Sequence, residues 1–119
     1  MIFIVDDDEG VRDSLLLLLE CEGLEAQAFA SGRQFLEADR PRDGDCLILD
    51  VHMAGMSGLD LLEELRRRGN GIPVILITGR PDTATKDRAR RAGVPAMLEK
   101  PYRAEEILAR VRIAVRSRP

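Results

Sequence analysis

The sequence predicts an α/β domain with three layers, in which a five-stranded parallel sheet lies between two layers of helices. Two observations predict this class. Short segments that are apolar at successive positions recur along the 119 residues, and helical segments alternate with them in five β–α units. Strands that are apolar on both faces and alternate with helices form parallel sheets covered on both sides. No repeat, linker or low-complexity segment interrupts the pattern, so we expect residues 1–119 to form one domain without an effector domain.

The first β–α unit begins at the N-terminus. Residues 2–5 are apolar and mostly β-branched, which favours a buried strand. The acids that follow suit the first turn of a helix over about 8–21, because they lie at the positive end of its dipole, and Gly23 ends it. The second unit consists of a weaker strand over 25–29, a helix over about 33–39 that Ser31-Gly32 can start, and a loop over 41–44.

The three remaining units follow the same order. Leu59, Leu62 and Leu65 recur at helical spacing on one side of the third helix, and Asn70-Gly71 is predicted to end that helix. Pro101 is predicted to terminate the last strand. The predicted strands are 46–49 ("CLIL"), 73–78 ("PVILIT") and 96–98, and the predicted helices are about 59–68, about ten polar residues ending at Gly93, and about 104–116.

The composition is that of an ordinary globular domain, with 45% hydrophobic and 33% charged residues. Its apolar runs are too short to span a membrane and its start is unlike a signal peptide, so we expect a cytoplasmic protein. Cys21 and Cys46 lack metal-site spacing, and both are expected to be buried thiols. Residues 70–119 carry 11 basic and 5 acidic side chains. Because the acids are interleaved, this basic half predicts a solvated or protein-facing surface, with no contact to nucleic acid or membrane.

Polar residues follow four of the five predicted strands directly. They are Asp6 and Asp7 after the first, Asp50 after the third, Thr78 after the fourth and Lys100 after the fifth. In open parallel sheets the working site lies outside the carboxyl ends of the strands, where the strand order reverses. These side chains are therefore expected to converge on one site.

The residue types at this predicted site suit a divalent cation and a phosphoryl group. Three neighbouring carboxylates raise one another's pKa, and a hard cation such as Mg²⁺ relieves that conflict. Lys100 and the Thr78 hydroxyl can each contact a phosphate oxygen. Phosphoryl transfer needs mainly positioning and neutralised charge. Because no Ser, Cys or His stands among these residues as a nucleophile, Asp50 is the candidate to form an aspartyl phosphate.

Four segments carry a resemblance to a known family, each of them spanning or directly following a predicted strand. They are "IVDDDEGVRDSL", "LILDVHMAGMSGLDLL", "PVILITG" and "AMLEKPY". In this order they resemble the receiver domain of two-component response regulators over essentially the whole chain. The resemblance implies a flavodoxin-like fold with sheet order 2-1-3-4-5. It also implies a Mg²⁺-dependent signalling switch that takes its phosphoryl group from a sensor histidine kinase or a small phosphodonor and later hydrolyses it.

The resemblance assigns a role to each metal position. Asp50 matches the family's phosphorylated aspartate, which is also a metal ligand. Asp7 matches the direct Mg²⁺ ligand, and Asp6 matches the acid that holds a metal-bound water. His52 occupies the position whose backbone carbonyl completes the protein's ligands, and its side chain is not expected to bind the metal.

The resemblance also assigns the phosphate contacts and the switch. Thr78 and Lys100 match the two phosphate-contacting positions, and family members commonly have a cis bond between this Lys and Pro. In the family, the residue that corresponds to Thr78 acts in the switch together with an aromatic residue, which stands three positions before the residue that corresponds to Lys100. That position here holds Met97. The resemblance implies that phosphorylation changes the surface formed by the fourth helix, fifth strand and fifth helix, where Arg103 and Arg110 could lie in a homodimer.

Three departures from the family pattern leave alternatives open. Ala54 replaces a usual proline, which predicts a looser loop after Asp50. Gly79 after Thr78 leaves the site accessible. Met97 removes the aromatic switch residue, so the chain is either a phosphorylated switch or a degenerate receiver that acts as an unphosphorylated protein-interaction module. "DDDEG" does not match the DxDGT pattern of aspartyl-nucleophile phosphatases, and the carboxylates would repel the phosphate of a flavin.

Five successive leucines in the first helix predict a further feature of its surface. Since an α-helix has 3.6 residues per turn, Leu15 to Leu19 occupy every side of it. Leu15, Leu18 and Leu19 are expected to pack inward, and Leu16 or Leu17 to face outward. The outward leucine is either an ordinary surface residue or, as the resemblance implies, part of the surface that meets the helical bundle of the kinase.

Overall fold

The structure, a computed structural model, describes residues 1–38, 46–94 and 96–116. Strands and helices alternate along these residues, as the sequence predicts. The strands are β1 (Ile2–Val5), β2 (Ala26–Phe29), β3 (Cys46–Asp50), β4 (Val74–Thr78) and β5 (Leu98–Glu99). The helices are α1 (Glu9–Cys21), α2 (Gly32–Glu37), α3 (Gly58–Arg67), α4 (Thr83–Arg91) and α5 (Ala104–Arg116).

The strands form one parallel sheet in the order β2-β1-β3-β4-β5, which confirms the predicted topology. The strand order reverses between β1 and β3. Val5 pairs with Leu49 in this central ladder, so Asp6, directly after β1, and Asp50, the last residue of β3, lie side by side. At the other side of β3, Asp50 pairs with Ile77. The register therefore brings the polar residues after three strands to one edge of the sheet.

Two hydrophobic clusters, one on each face of the sheet, hold the three layers together. Alternate strand residues point to opposite faces, and Phe3 and Leu47 belong to one cluster while Ile4 and Ile48 belong to the other. The first cluster includes buried residues of α2, α3 and α4, and the second includes those of α1 and α5. The sheet is thus covered on both faces, as its apolar strands predict.

Local boundaries differ from the sequence-based predictions at several points. Gly69 (φ 78°), and not Asn70-Gly71, adopts the left-handed conformation after α3, where the Gly69 and Asn70 N–H groups bond to carbonyls of the last turn. Strand β5 begins at Leu98, because only Leu98 and Glu99 are paired with β4. The prediction that both thiols are buried is wrong for Cys21, which is exposed, and right for Cys46. The predicted loop over 41–44 lies outside the described residues.

The helix starts follow the capping chemistry of the sequence. The side chains of Asp8, Ser31, Ser57 and Asp82 each accept a backbone N–H in the first turn of α1, α2, α3 and α4. These caps fix the point at which each strand-to-helix loop ends. The Lys100-Pro101 bond is cis. Among the described residues, none of the helices has the length and apolar character needed to cross a membrane.

Candidate functional site

Three carboxylates converge at the edge where β1 and β3 end. Asp6, Asp7 and Asp50 each offer an oxygen that lies within 4.8 Å of the oxygens of the other two. Asp6 and Asp50 are both only 4% exposed, whereas Asp7 is exposed. Three carboxylates at this separation repel one another strongly in a partly buried setting. The cluster is therefore costly for the fold unless a positive charge neutralises it.

Among these three carboxyl groups, Asp6 has a raised pKa. Burial raises the pKa of its carboxyl above the ordinary value of 3.8, and repulsion from Asp50 and Asp7 adds to the rise. A hydrogen bond from the Asp8 N–H to Asp6 Oδ1 (2.9 Å) and the charge of Lys100 act in the opposite direction. The Arg12 guanidinium in α1 donates to the Asp6 backbone carbonyl at 2.9 Å. This bond ties the end of β1 to the first helix.

Asp7 is held by the loop that follows β3. Its Oδ2 accepts a hydrogen bond of 3.0 Å from the backbone N–H of Ala54, 47 positions along the chain. The loop is thus anchored to the carboxylate cluster at the residue where the family usually has proline. A proline has no N–H and could not make this bond. The looser loop predicted for this substitution is therefore offset by a specific contact.

Asp50 presents an oxygen that lacks a hydrogen-bond partner. Among the described residues, Asp50 Oδ1 is the buried side-chain polar atom that makes no hydrogen bond. The Lys100 Nζ lies 3.4 Å from this oxygen, close enough for an ion pair although the pair does not form a hydrogen bond. A buried, unsatisfied carboxylate oxygen is uncommon in native folds and marks a place where an absent group or ion can bind. Asp50 is thus the member of this cluster whose buried carboxylate oxygen has lone pairs available for a ligand or a reaction.

The backbone of Asp50 is fixed by the start of α3. Gly58 donates its N–H to the Val51 carbonyl at 2.9 Å. A Cβ at position 58 would lie 2.8 Å from the Asp50 carbonyl carbon and 2.9 Å from the Val51 Cα, so only glycine allows this approach. The same Ser57-Gly58 start is secured by a capping box between Ser57 and Asp60.

Thr78 ends β4 at the rim of the cluster. It is fully buried, and its Oγ1 accepts a 3.0 Å hydrogen bond from the Arg80 N–H. The same oxygen lies 3.3 Å from Nε2 of His52. The His52 ring therefore reaches from the loop after β3 to the end of β4. Sequence reasoning placed only the His52 backbone at the site, and it missed this side-chain contact.

Met97 lies just before β5 and is partly buried against the core cluster that includes α3 and α4. Together with Thr78, Ala89 and Val94 it lines a cavity of about 340 Å³ between the sheet and α4. Lys86, Arg90 and Glu99 stand at the same cavity. The flexible thioether thus borders a space beside the hydroxyl that the sequence predicts to contact phosphate.

The donor set fits a hard divalent cation. Mg²⁺ takes oxygen ligands and is commonly bound by one or two carboxylates together with water and phosphate oxygens. Asp7 and Asp50 supply such carboxylates, and Asp6 stands close enough to hold a coordinated water. The unpartnered Oδ1 of Asp50 supports the same conclusion, since a cation would satisfy it. All predicted side chains of the site, Asp6, Asp7, Asp50, Thr78 and Lys100, lie at this edge of the sheet.

Comparison with known proteins agrees with this geometry. The family model described as "Response regulator receiver domain" matches residues 2–112. The chain belongs to the response regulator receiver family. Receiver domains are parts of signalling proteins and generally have an acidic pocket, which corresponds here to the cluster of Asp6, Asp7 and Asp50.

Several regulators resemble this receiver domain along nearly its whole length. The transcriptional regulatory protein FixJ of Azorhizobium caulinodans is 41% identical over 114 residues, which are 96% of this chain and 54% of that protein. Nodulation protein W of Bradyrhizobium diazoefficiens is 43% identical over 108 residues, 91% of this chain and 48% of that protein. The chain thus spans about half the length of these curated relatives. The solved structure of a response regulator receiver protein from Pseudoalteromonas atlantica is 30% identical in sequence and has a TM-score of 0.88. The match covers 97% of this chain and 96% of the chain in that structure.

Proposed function

We propose that this receiver domain is a phosphorylation-dependent switch of a two-component system, in which Asp50 accepts a phosphoryl group from a sensor histidine kinase. The observation that carries the proposal is the buried Oδ1 of Asp50, which has no hydrogen-bond partner among the described residues and lies 3.4 Å from Lys100. A carboxylate beside a cation, with one oxygen that makes no hydrogen bond, can act as a nucleophile.

The transfer requires little from the protein beyond position and charge. An Asp50 carboxylate oxygen attacks phosphorus, a P–O bond forms, and the P–N bond to the kinase histidine breaks with its electron pair returning to that nitrogen. Lys100 lies where it can neutralise a phosphoryl oxygen. The Thr78 hydroxyl, at the end of the strand paired with β3, can donate to another. Small phosphodonors can supply the same group, and water can later remove it.

Magnesium fits this site through the oxygens of Asp7 and Asp50, with Asp6 as the holder of a coordinated water and the His52 backbone carbonyl as a further ligand. When bound, the ion offsets the negative charge of the incoming phosphoryl group and of the carboxylates. Burial, and then repulsion from Asp50 and Asp7, raises the pKa of the Asp6 carboxyl, and a bound cation would offset the part that comes from repulsion.

The output of the switch is proposed to be a change of the surface formed by α4, β5 and α5. Thr78 and Met97 border the cavity beneath α4, so a shift of Thr78 toward the phosphoryl group changes the wall of that cavity. A downstream effector then reads the altered surface, either as a further domain or as a separate protein, or through a phosphorylation-linked homodimer. The relatives named as transcriptional regulators favour an output on gene expression. A histidine kinase as donor places the reaction in the cytoplasm.

Labelling with acetyl phosphate tests the proposal. The protein is incubated with acetyl phosphate and Mg²⁺ and its intact mass is measured, alongside Asp50→Asn and an aliquot with EDTA. We expect one added phosphoryl group in the wild-type protein with Mg²⁺, and none in the variant or with EDTA. An unlabelled wild-type protein, under conditions that label a control receiver, supports instead the unphosphorylated interaction module that the Met97 substitution suggests.

A further inference from the structure

The Thr78 hydroxyl is already engaged in the unmodified chain. A hydroxyl carries one donor and two acceptor positions. The Arg80 N–H occupies one acceptor position at 3.0 Å, and His52 Nε2 lies 3.3 Å from the same oxygen. Whether His52 donates or accepts depends on its tautomer. When Nε2 accepts, the Thr78 O–H points to the His52 ring; when Nε2 carries the proton, it donates to a lone pair of Oγ1 and leaves that O–H free.

The contact joins two strand ends that meet at Asp50. His52 is two residues after Asp50 in the loop that follows β3, whereas Thr78 is the last residue of β4. The ring also lies near Asp82, the N-cap of α4. The pKa of the Asp82 carboxyl is lowered mainly by hydrogen bonds from Thr85, and the His52 ring adds a small further contribution. The imidazole thus lies between the switch hydroxyl and the start of α4.

The two engagements of Thr78 compete. A phosphoryl oxygen on Asp50 can bond to Thr78 only by accepting its O–H, which is the same hydrogen that Nε2 uses when Nε2 is the acceptor. Turning that O–H toward Asp50 breaks its bond to Nε2. The free energy of the His52 contact is therefore subtracted from the free energy gained when Thr78 meets the phosphoryl group.

We propose that the His52 side chain is a positioning residue whose Nε2 accepts the Thr78 O–H in the resting state, holds that hydroxyl there and thereby sets the equilibrium between the two states of the switch. This inference rests on the proposed function. It concerns the imidazole alone, since the backbone carbonyl assigned to the metal is retained in every substitution at position 52. Removing the ring is expected to favour the state in which Thr78 faces Asp50.

The size of the effect follows from the type of contact. A single hydrogen bond in a partly exposed setting contributes about 0.5–1.5 kcal/mol net, which corresponds to about a two- to tenfold change in an equilibrium constant. The same factor appears in the affinity for any ligand that binds only the state with Thr78 turned to Asp50. Beryllofluoride with Mg²⁺ is such a probe, because it mimics a phosphoryl group on a carboxylate.

A mutant cycle with this probe tests the inference. Calorimetry measures beryllofluoride binding in saturating Mg²⁺ for the wild type, His52→Ala, His52→Gln, Thr78→Ala and the double variant His52→Ala/Thr78→Ala. We expect His52→Ala to bind about two- to tenfold more tightly than the wild type. His52→Gln, whose amide can still meet Thr78, should remain close to the wild type. In the Thr78→Ala background the substitution at position 52 should have no effect.

The outcomes separate this inference from the proposed function. If the wild type binds the probe but His52→Ala binds equally or less tightly, or gains affinity equally without Thr78, the inference is wrong while the proposed function stands. If the wild type fails to bind the probe, the proposed function fails. In that case urea unfolding in EDTA of the wild type, His52→Ala, Thr78→Ala and the double variant tests the His52–Thr78 contact. Non-additive changes in stability support the contact, and additive changes overturn it.

Discussion

The backbone N–H of Ala54 donates to the Asp7 carboxylate across 3.0 Å, which joins the loop after β3 to the end of β1. Asp7 Oδ2 is therefore bonded to the loop, while Asp7 also belongs to the carboxylate cluster with Asp6 and Asp50. Asn at position 7 would keep an acceptor for Ala54 and lose only the charge. This makes the proposed metal role of Asp7 separable from its structural role.

Asp7→Asn is expected to lose the stabilisation that Mg²⁺ gives the wild type. Its free energy of unfolding in EDTA should be no lower than that of the wild type, because the hydrogen bond to Ala54 is preserved and the repulsion between Asp7 and its two neighbouring carboxylates is removed. Ligand-linked stabilisation requires binding to the native state, so the rise in melting temperature on adding Mg²⁺ should disappear. Circular dichroism melts with and without Mg²⁺ measure both quantities.

The matched control for this substitution is Asp8→Asn. It removes the same charge one residue further on, at an exposed position, and asparagine is an equally good N-cap for α1. The Mg²⁺-dependent rise in melting temperature should persist in this variant. A full rise in Asp7→Asn would show that Asp7 is not a metal ligand.

Asp6→Asn is expected to stabilise the metal-free protein at neutral pH. Burial, followed by repulsion from Asp50 and Asp7, raises the folded-state pKa of Asp6 above 3.8. A raised carboxyl pKa means that the folded state binds more protons than the unfolded state, so the wild type loses stability as pH rises from about 3.8 through the raised value. The advantage of the variant should therefore be greatest at neutral pH and should vanish near pH 3.8.

Urea unfolding in EDTA at a series of pH values measures this difference. The contributions of distant carboxyl groups cancel when the variant is compared with the wild type at each pH, and the difference then reports Asp6 together with its interactions with Asp7 and Asp50. An advantage that is constant from pH 3 to pH 7 would contradict the assignment of the raised pKa to Asp6.

Gly58→Ala is expected to destabilise the protein by about 1–3 kcal/mol, as overpacking at a closely packed position does. The new Cβ would meet the Asp50 carbonyl carbon at 2.8 Å, and α3 would have to move away from β3. Gly71→Ala is the control, since nothing lies within 4 Å of a Cβ there and its φ is not positive. Chemical denaturation of both variants makes the comparison. Equal stabilities would mean that α3 does not approach Asp50 this closely.

Arg88 connects α4 to α3 through both oxygens of Glu63 (2.7 and 3.1 Å) and through Asp60 (3.2 Å). The Arg88 side chain is 39% exposed, so screening limits the contribution of these pairs. Arg88→Gln should lower the free energy of unfolding by about 0.5–1 kcal/mol at low salt and by less at 1 M salt. Arg90→Gln, whose bond to Asp87 stays within α4, should change it less.

The Arg88→Gln deficit should also depend on pH. The Arg88 hydrogen bond lowers the pKa of the Glu63 carboxyl below its ordinary 4.5. A lowered carboxyl pKa gives stability that is present above pH 4.5 and is lost as the pH falls through the folded-state value. The two proteins should therefore converge in acid, and a deficit that is unchanged between pH 7 and pH 3 would contradict this account.

Leu17→Ser should leave stability within about 0.5 kcal/mol of the wild type, because the Leu17 side chain is 61% exposed on α1. Leu19→Ala, at a fully buried position, should cost about 2–5 kcal/mol. If α1 meets the kinase, as the family resemblance implies, Leu17→Ser should slow phosphotransfer from the cognate kinase while leaving acetyl phosphate labelling unchanged. Unchanged phosphotransfer would make Leu17 an ordinary surface residue.

Convergence of the site was predictable from the sequence because it depends on topology alone. Strand ends are visible as apolar runs that stop at Asp6, Asp50 and Thr78, and in a parallel sheet these ends share one edge. The neighbouring positions of Asp6 and Asp50 then follow from the register Val5–Leu49. The leucine run was predictable in the same way, since helical geometry requires one of its members to face outward, and Leu17 does so.

The contacts that tune the site were not predictable. The His52–Thr78 contact depends on a rotamer and on the path of a loop, and 26 positions separate its partners. Ala54 was recognised only as a missing proline, since its N–H partner lies 47 positions away. Cys21 was expected to be buried because cysteine usually is, but it lies one turn after Leu17 on the same exposed side of α1.

The unequal exposure of the two cysteines gives the domain a built-in attachment point. A thiol-reactive dye should modify Cys21 at the end of α1 and leave the buried Cys46 untouched. No engineered cysteine and no removal of a native one is then needed to place a single fluorophore on the molecule. The label would stand one helical turn from Leu17, so its emission could report in real time the arrival of a partner at α1.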